Sequence, residues 1–316
     1  MGRYLAKRFA AMVLVLVGIS VLAFTLIYLV PGNAVDVLLG GEGQVSAARR
    51  IQLEQLLGLD KPPAVQYFVW LGKVLTGDLG TSIRTGLPVS KELATRLPVT
   101  LELATAAIIL SVIVAVPLGV ISAVYRNSWT DSILKLTGLI GLSIPQFGLA
   151  AVLLLVVSKY VPTMMPGGYE PFLKAPLAHL QNMLLPVVCA AAPIAAVIMR
   201  MTRSSMLDFI REQYVTTARA KGVSEFKVIV KHVLANALVP VVTITGIQFG
   251  LLLSGVVVIE YIFTLPGLGT LMLNGIFQRD YTVVQSCIVV VAFLFTFVNF
   301  LVDLSYGLLD PRIRYE

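Results

Sequence analysis

The sequence predicts an all-α polytopic membrane protein with six transmembrane helices and a long extracytoplasmic loop after the first. Three observations predict it. Of 316 residues, 57% are apolar and only 13% are charged, against roughly 45–50% and about 25% in soluble domains. A mean hydropathy of +0.88 excludes disorder, and a count of two cysteines excludes a small disulfide scaffold. Six runs, 9–30, 99–124, 136–157, 183–199, 238–259 and 283–302, are apolar over a stretch close to the ~20 residues a helix needs to cross a bilayer.

The first run follows Arg3, Lys7 and Arg8, as the core of a signal peptide would. Its 22 apolar residues exceed a usual signal core and no small-x-small cleavage site follows, so it is read as a retained helix. Pro31-Gly32-Asn33 ends it and opens the extracytoplasmic subdomain, residues 31–98. There Ser46 is expected to cap a helix over 47–57 carrying Leu53, Leu56 and Leu57, with Gly58 as its stop. After Pro62-Pro63, the residues Tyr67, Phe68, Trp70 and Leu71 form an amphipathic aromatic stretch suited to the membrane interface. Gly77, Gly80 and Gly86 mark an irregular segment leading into the second span. A loop of this length either docks an external partner or packs over the helix mouths. The core of five further spans occupies 99–307, with a segment at 200–239 expected in the cytoplasm, and 308–316 are expected to form a cytoplasmic tail.

The fourth run is short and carries Pro186 and Pro193, which predicts a kink. Cys189 and Cys287 lie in apolar runs and read as packed thiols. His179 and His232 are far apart in sequence and read as lying outside the spans, against a histidine metal site or an embedded hydrolase. In the fifth run Gly246, Gly250 and Ser254 recur every fourth residue, a small-residue stripe that lets a neighbouring helix approach closely.

Basic residues set the orientation. With the N-terminus inside, the cytoplasmic segments hold 13 Lys and Arg in about 65 residues, the opposite segments 10 in about 112. Both termini are therefore expected in the cytoplasm. The net charge of +7 is an insertion signal rather than a nucleic-acid footprint, since no stacking aromatics interleave with it. Glu102, Glu260 and Asp303 sit near predicted span ends, as hydrogen-bonded end residues or as ion sites. They form no chain of acids across the midplane.

Residues 200–239 carry the most information. Ser205 with Asp208 reads as a capping pair, and Leu207, Ile210, Tyr214 and Ala218 as one helical face. Gly222 reads as a left-handed helix stop, and Ser224 as the cap of a second helix with Phe226, Val228, Ile229 and Val233. The prediction is two short helices at a sharp turn with Ala218, Ala220 and Gly222 at the corner. Such a corner fits either a groove on another protein or an anionic lipid surface.

Ala218-Arg219-Ala220-Lys221-Gly222, followed nine residues later by His232-Val233-Leu234, resembles the coupling loop of ABC importer permeases, in particular the peptide/nickel branch. The general pattern is Glu-Ala-Ala, three residues, Gly, nine residues, Ile-x-Leu-Pro. Here Thr216 and Thr217 stand for Glu-Ala, His232 for Ile and Ala235 for Pro, departures typical of that branch. Val30-Pro31-Gly32, Leu57-Gly58-Leu59-Asp60 and Gly77-Asp78-Leu79-Gly80-Thr81-Ser82 extend the resemblance. So do Arg96-Leu97-Pro98-Val99-Thr100-Leu101-Glu102, Pro266-Gly267-Leu268-Gly269, Arg279-Asp280-Tyr281 and the ending Asp310-Pro311-Arg312-Ile313-Arg314-Tyr315.

The resemblance implies a type I importer fold and one half of a heterodimeric pore with a second, related permease. It implies two cytoplasmic ATPases that carry ATP and magnesium, an external solute-binding protein, and residence in the bacterial inner membrane. No cofactor is expected in this chain, which lacks a G-x-x-x-x-G-K-[ST] loop, and no catalytic activity of its own. The implied coupling residues are Glu212, Thr216, Thr217, Ala218, Arg219, Ala220, Lys221 and Gly222. Dipeptides or oligopeptides are the expected cargo, with nickel chelates or glutathione as alternatives. An ion-coupled secondary transporter is the reading from a different class, and it would show internal repeats and midplane ionisable residues.

Overall fold

A computed structural model describes residues 2–29, 61–164 and 166–309, the helix ends at 2–5, 27–29 and 305–309 as backbone only. The expected turn at 31–33 and the helix over 47–57 lie outside the described residues. Eleven helices run in order: α1 (Gly2–Leu29), α2 (Pro63–Leu75), α3 (Val89–Val124), α4 (Trp129–Ser143), α5 (Gln146–Tyr160), α6 (Pro176–Phe209), α7 (Gln213–Ala220), α8 (Glu225–Gly255), α9 (Val257–Ile262), α10 (Leu268–Phe277) and α11 (Tyr281–Leu309). α8 contains a π-helical stretch, Val228–Leu234. Helices α1, α3, α6, α8 and α11 each contain a segment long and apolar enough to span a bilayer. The pair α4–α5, bent by 102°, makes a sixth candidate span if its two halves are counted as one.

That bend corrects the expectation of an uninterrupted run over 136–157. Pro145 drives Ile144 to an extended ψ of 121°, so α4 stops there and α5 restarts at Gln146. The fourth span departs in the opposite direction. Pro186 and Pro193 lie inside one continuous 34-residue helix. His179 sits in the first turn of that helix, 5% exposed, and His232 in the π-helical stretch, so both belong to helices rather than to connecting loops. Residues 89–98 form the first turns of α3 rather than a loop.

The centre of the bundle is the parallel pair α3 and α6, joined through small residues. Ala104, Ala107, Ala115, Ala190 and Ala191 are buried, and Cys189 packs among them as a free thiol. A Cβ on Gly119 would lie 2.6 Å from the Thr202 Cβ, so the backbones approach as small residues permit inside a membrane. Ser111 Oγ reaches Ala191 O across the same seam at 3.0 Å. The small stripe on α8 faces α11 at two of its three positions. A Cβ on Gly246 would overlap Val302, and one on Gly250 would touch Asn299 and Phe295 at 3.4 Å. Ser254 is exposed and bonds to Leu251 O of its own helix.

At the end of the bundle where α3 and α6 begin, motifs remote in sequence meet. Ser82 Oγ donates to Asp280 Oδ2 at 2.5 Å, and Arg84 Nε donates to Gln278 O at 3.0 Å. Asp280 also caps α11 by accepting from Val283 N. Glu260, fully buried, accepts from Thr100 Oγ1 at 2.5 Å and from the Gly269 and Thr270 amides at 2.7 and 3.1 Å, at the start of α10. Any Cβ on Gly267 would occupy the space of this carboxylate, which accounts for the glycine there. His179 bridges Glu102 at 2.9 Å and the Glu170 carbonyl at 2.7 Å, while the Tyr169 hydroxyl donates to Glu102. Burial and the adjoining Glu102 carboxylate push the Tyr169 phenol up to about 12. Asp303 pairs with Arg8 at 3.2 Å. All three acids flagged in the sequence have partners, but Glu102 lies well inside α3 and Asp303 six residues before the end of α11, so only Glu260, in the short α9, sits at a helix end. The aromatic stretch of α2 packs inward in part: Tyr67 shares a 2.8 Å hydrogen bond with Ser20 and an edge-on contact with Phe24 of α1.

Candidate functional site

The corner formed by residues 212–222 is built from α7 and the turn that follows it. α7 has only eight residues, too short to persist alone, so its stability must come from packing. Val215 and Ala218, one turn apart, are buried among Ala123 of α3, Met206 of α6, and Val228, Ile229 and Val233 of α8. Three long helices therefore meet beneath the corner, at one end of the bundle.

The turn is a Schellman motif. The Val223 amide donates to Ala218 O at 3.3 Å and the Gly222 amide to Arg219 O at 2.9 Å, satisfying carbonyls that a helix end leaves free. Gly222 has φ +77°, and an added Cβ there would meet nothing within 4 Å. Backbone conformation, not space, selects glycine. Arg219 spans the turn and donates to both Glu225 oxygens, at 3.1 and 2.7 Å. This pair holds the Arg219 guanidinium above its ordinary pKa. Being exposed, it contributes at most about 1 kcal/mol.

Of the sequence-predicted site, Glu212, Thr216, Thr217, Arg219, Ala220, Lys221 and Gly222 are exposed together on this corner, and Ala218 is its buried anchor. Thr217 Oγ1 is tied to Gln213 O, leaving the Thr216 hydroxyl outward. Two local expectations need correction. Ser205 lies within α6 and donates to Ala237 O at 3.0 Å, so it joins α6 to α8 rather than capping a helix with Asp208. Ser224 makes no side-chain cap; its carbonyl accepts from Val228 N. Because α6 ends at Phe209, Leu207 and Ile210 approach the cluster from α6 and its cap, while Tyr214 is 40% exposed. Burial raises the Tyr214 phenol, whose oxygen accepts from Asn236 at 3.2 Å.

Two features escaped the sequence. Phe226, placed on the second helix with Val228, Ile229 and Val233, is 78% exposed beside the turn, whereas those three are buried. Asp131, fully buried, accepts from Arg203 Nε and Nη2 at 2.8 and 3.0 Å, from Ser122 Oγ at 2.7 Å and from Asn127 N at 3.0 Å, with Lys135 at 3.2 Å. This network clamps α6 to the α3–α4 turn just above the corner. Part of its sequence signal was present, because Ser128 is the N-cap of α4, its hydroxyl accepting from the Asp131 amide, while the Asp131 carboxylate turns back to the Asn127 amide.

Residues 115–315 match the binding-protein-dependent transport system inner membrane component family, and residues 1–104 match the N-terminal part of such components. The chain belongs to this family. It is 40% identical over all 316 residues to a protein named as a peptide transport system permease in Brucella abortus (strain 2308), all of which is covered. The glutathione transport system permease GsiC of Pectobacterium atrosepticum is 38% identical over the full length of both chains, and that of Salmonella typhi 37%. The chain is a multi-pass inner-membrane permease subunit of an ABC importer, a system that works with a solute-binding protein and ATPases. Among the described residues no group of His, Cys, Asp or Glu is arranged to hold a metal ion.

Proposed function

We propose that this permease moves dipeptides or oligopeptides into the cytoplasm as one half of a heterodimeric pore, with both termini cytoplasmic. Its ATPase partners seat the corner formed by Glu212, Thr216, Thr217, Arg219, Ala220, Lys221 and Gly222 in a groove. The observation that carries this reading is the shared cluster under α7. A force on the corner is transmitted through Val215 and Ala218 directly to α3, α6 and α8. The two ATPases closing on ATP would then bias two arrangements of the same helices, outward-open and inward-open. Exposed Phe226 and Tyr214 supply aromatic anchors of the kind found at interface centres.

Uptake of a labelled dipeptide by cells with and without the gene tests cargo and coupling together. Deletion should abolish uptake, the intact gene should restore it, and Gly222→Asp should not, although the protein still inserts. Vanadate should inhibit uptake, whereas a protonophore with ATP maintained should not. Unchanged dipeptide uptake on deletion would favour glutathione, the cargo named for GsiC relatives.

A further inference from the structure

A cavity of about 260 Å³ lies between α6, α8 and the break that separates α4 from α5. Most of its wall is apolar, with Leu142, Ile194, Val197 and Leu252. Two polar side chains interrupt it, Gln146 at the first position of α5 and Gln248 on α8. Neither amide has a hydrogen-bond partner among the described residues. Elsewhere in the same bundle buried polar groups such as Ser111, Ser205 and Glu260 are satisfied, with Gln285 Nε2 the exception among the described residues. Gln146 and Gln248 are partly exposed, so their amides are open to water or to a ligand that enters the cavity.

Depth places the cavity within the bilayer. Pro193 on its wall is 14 residues from His179 and 10 from Arg203 along α6, about 21 and about 15 Å at 1.5 Å per residue. Those two residues mark the outer and inner polar networks. The walls include α6 and α8, two of the helices the corner grips, so the element that receives the ATPase stroke also shapes the cavity. At about 260 Å³ it falls just below the 300–1,000 Å³ of complete small-molecule sites, as expected of one wall of a site closed by a second subunit.

We propose that Gln146 and Gln248 form a transit subsite for the peptide backbone of the cargo. A carboxamide offers two N–H donors and a carbonyl acceptor, the complement of a peptide group whatever its side chains. Carrying no charge, it discriminates little between acidic and basic cargo, and the apolar remainder of the wall accepts diverse side chains. The subsite rests on the peptide reading above and adds to it the atoms recognised.

The test uses the complete transporter in proteoliposomes, with loaded binding protein and radiolabelled trialanine. Gln146→Leu and Gln248→Leu should each slow uptake by roughly tenfold, the upper end of one lost hydrogen bond, while ATP hydrolysis stimulated by binding protein stays near wild type. Gln248→Asn, which keeps the amide, should recover much of the rate. Trialanine N-methylated at its internal peptide groups should enter slowly through the wild type and no more slowly through the Leu variants. Wild-type uptake in both Leu variants overturns the subsite and leaves peptide transport standing. Parallel loss of uptake and stimulated hydrolysis, not rescued by Asn, also overturns it by marking a structural role. No trialanine uptake by the wild type overturns the peptide reading and the subsite together.

Discussion

Replacing Gly222 isolates backbone conformation from packing. Nothing lies within 4 Å of a Cβ built at this position, so a side chain clashes with no neighbour. The whole cost is that of holding an L-residue at φ +77°, about 1 kcal/mol for Ala and about 2 kcal/mol for a β-branched residue, with Asn largely exempt. One kcal/mol changes an opening equilibrium by about fivefold. The turn is closed by the Val223 amide on Ala218 O and the Gly222 amide on Arg219 O. Hydrogen exchange at residues 222 and 223 should therefore accelerate by about fivefold in Gly222→Ala, by about 30-fold in Gly222→Val and little in Gly222→Asn. Dipeptide uptake should fall in the same order, while the thermal midpoint of the purified permease changes by less than for any core substitution. Equal exchange in all three variants, or Asn as the most damaging, would refute the argument that φ alone selects glycine.

Arg203→Ala strands the buried Asp131 carboxylate and should cost about 3–5 kcal/mol, read as a lowered melting temperature in detergent; Arg203→Ala with Asp131→Asn should recover much of it. Glu260→Leu leaves the Gly269 and Thr270 amides and the Thr100 hydroxyl without their acceptor, a loss of about 1–3 kcal/mol per group, whereas Glu260→Gln should be far milder in the same melting assay. Gly246→Leu collides with Val302 of α11 and should reduce the yield of folded permease, while Ser254→Leu, at the exposed end of the stripe, should not. The Tyr169 phenol keeps its proton in the fold to about 12, against an ordinary 10.0. Between those values the unfolded chain loses a proton that the native state retains, so stability should fall as pH rises through that window. Tyr169→Phe should flatten the slope of stability against pH there.

The parts of this fold that were legible in the sequence are those fixed by local chemistry. A 20-residue apolar run must form a helix to satisfy its backbone in lipid, so six spans could be counted from hydropathy alone. Gly222 was legible because a helix ending in glycine needs no tertiary partner. Helix ends were less legible, since hydropathy reports where lipid stops and not where backbone hydrogen bonding stops. α6 continues to Phe209 past Arg200 and Arg203, and this carried Ser205 from a supposed cap into the helix interior. The break at Ile144–Pro145 was written in the sequence, but the apolar run on both sides hid it. The Thr100–Glu260 and Ser82–Asp280 pairs join residues 160 and 198 positions apart, and no local pattern specifies which acid meets which hydroxyl. The same holds for Gln146 and Gln248, whose shared cavity exists only once α5 is set at 102° to α4.

The Ser82–Asp280 bond also sets a schedule for biogenesis. Asp280 is made 198 residues after Ser82, roughly 10–40 s later at ribosomal speeds of 5–20 residues per second. Through that interval the intervening helices are made while the turn at 81–88 lacks its acceptor. Completion of that face is thereby made contingent on arrival of the last helix. A chain truncated before Asp280 would present an unfinished surface there, the kind of signal by which a quality-control protease could distinguish abandoned permeases from mature ones.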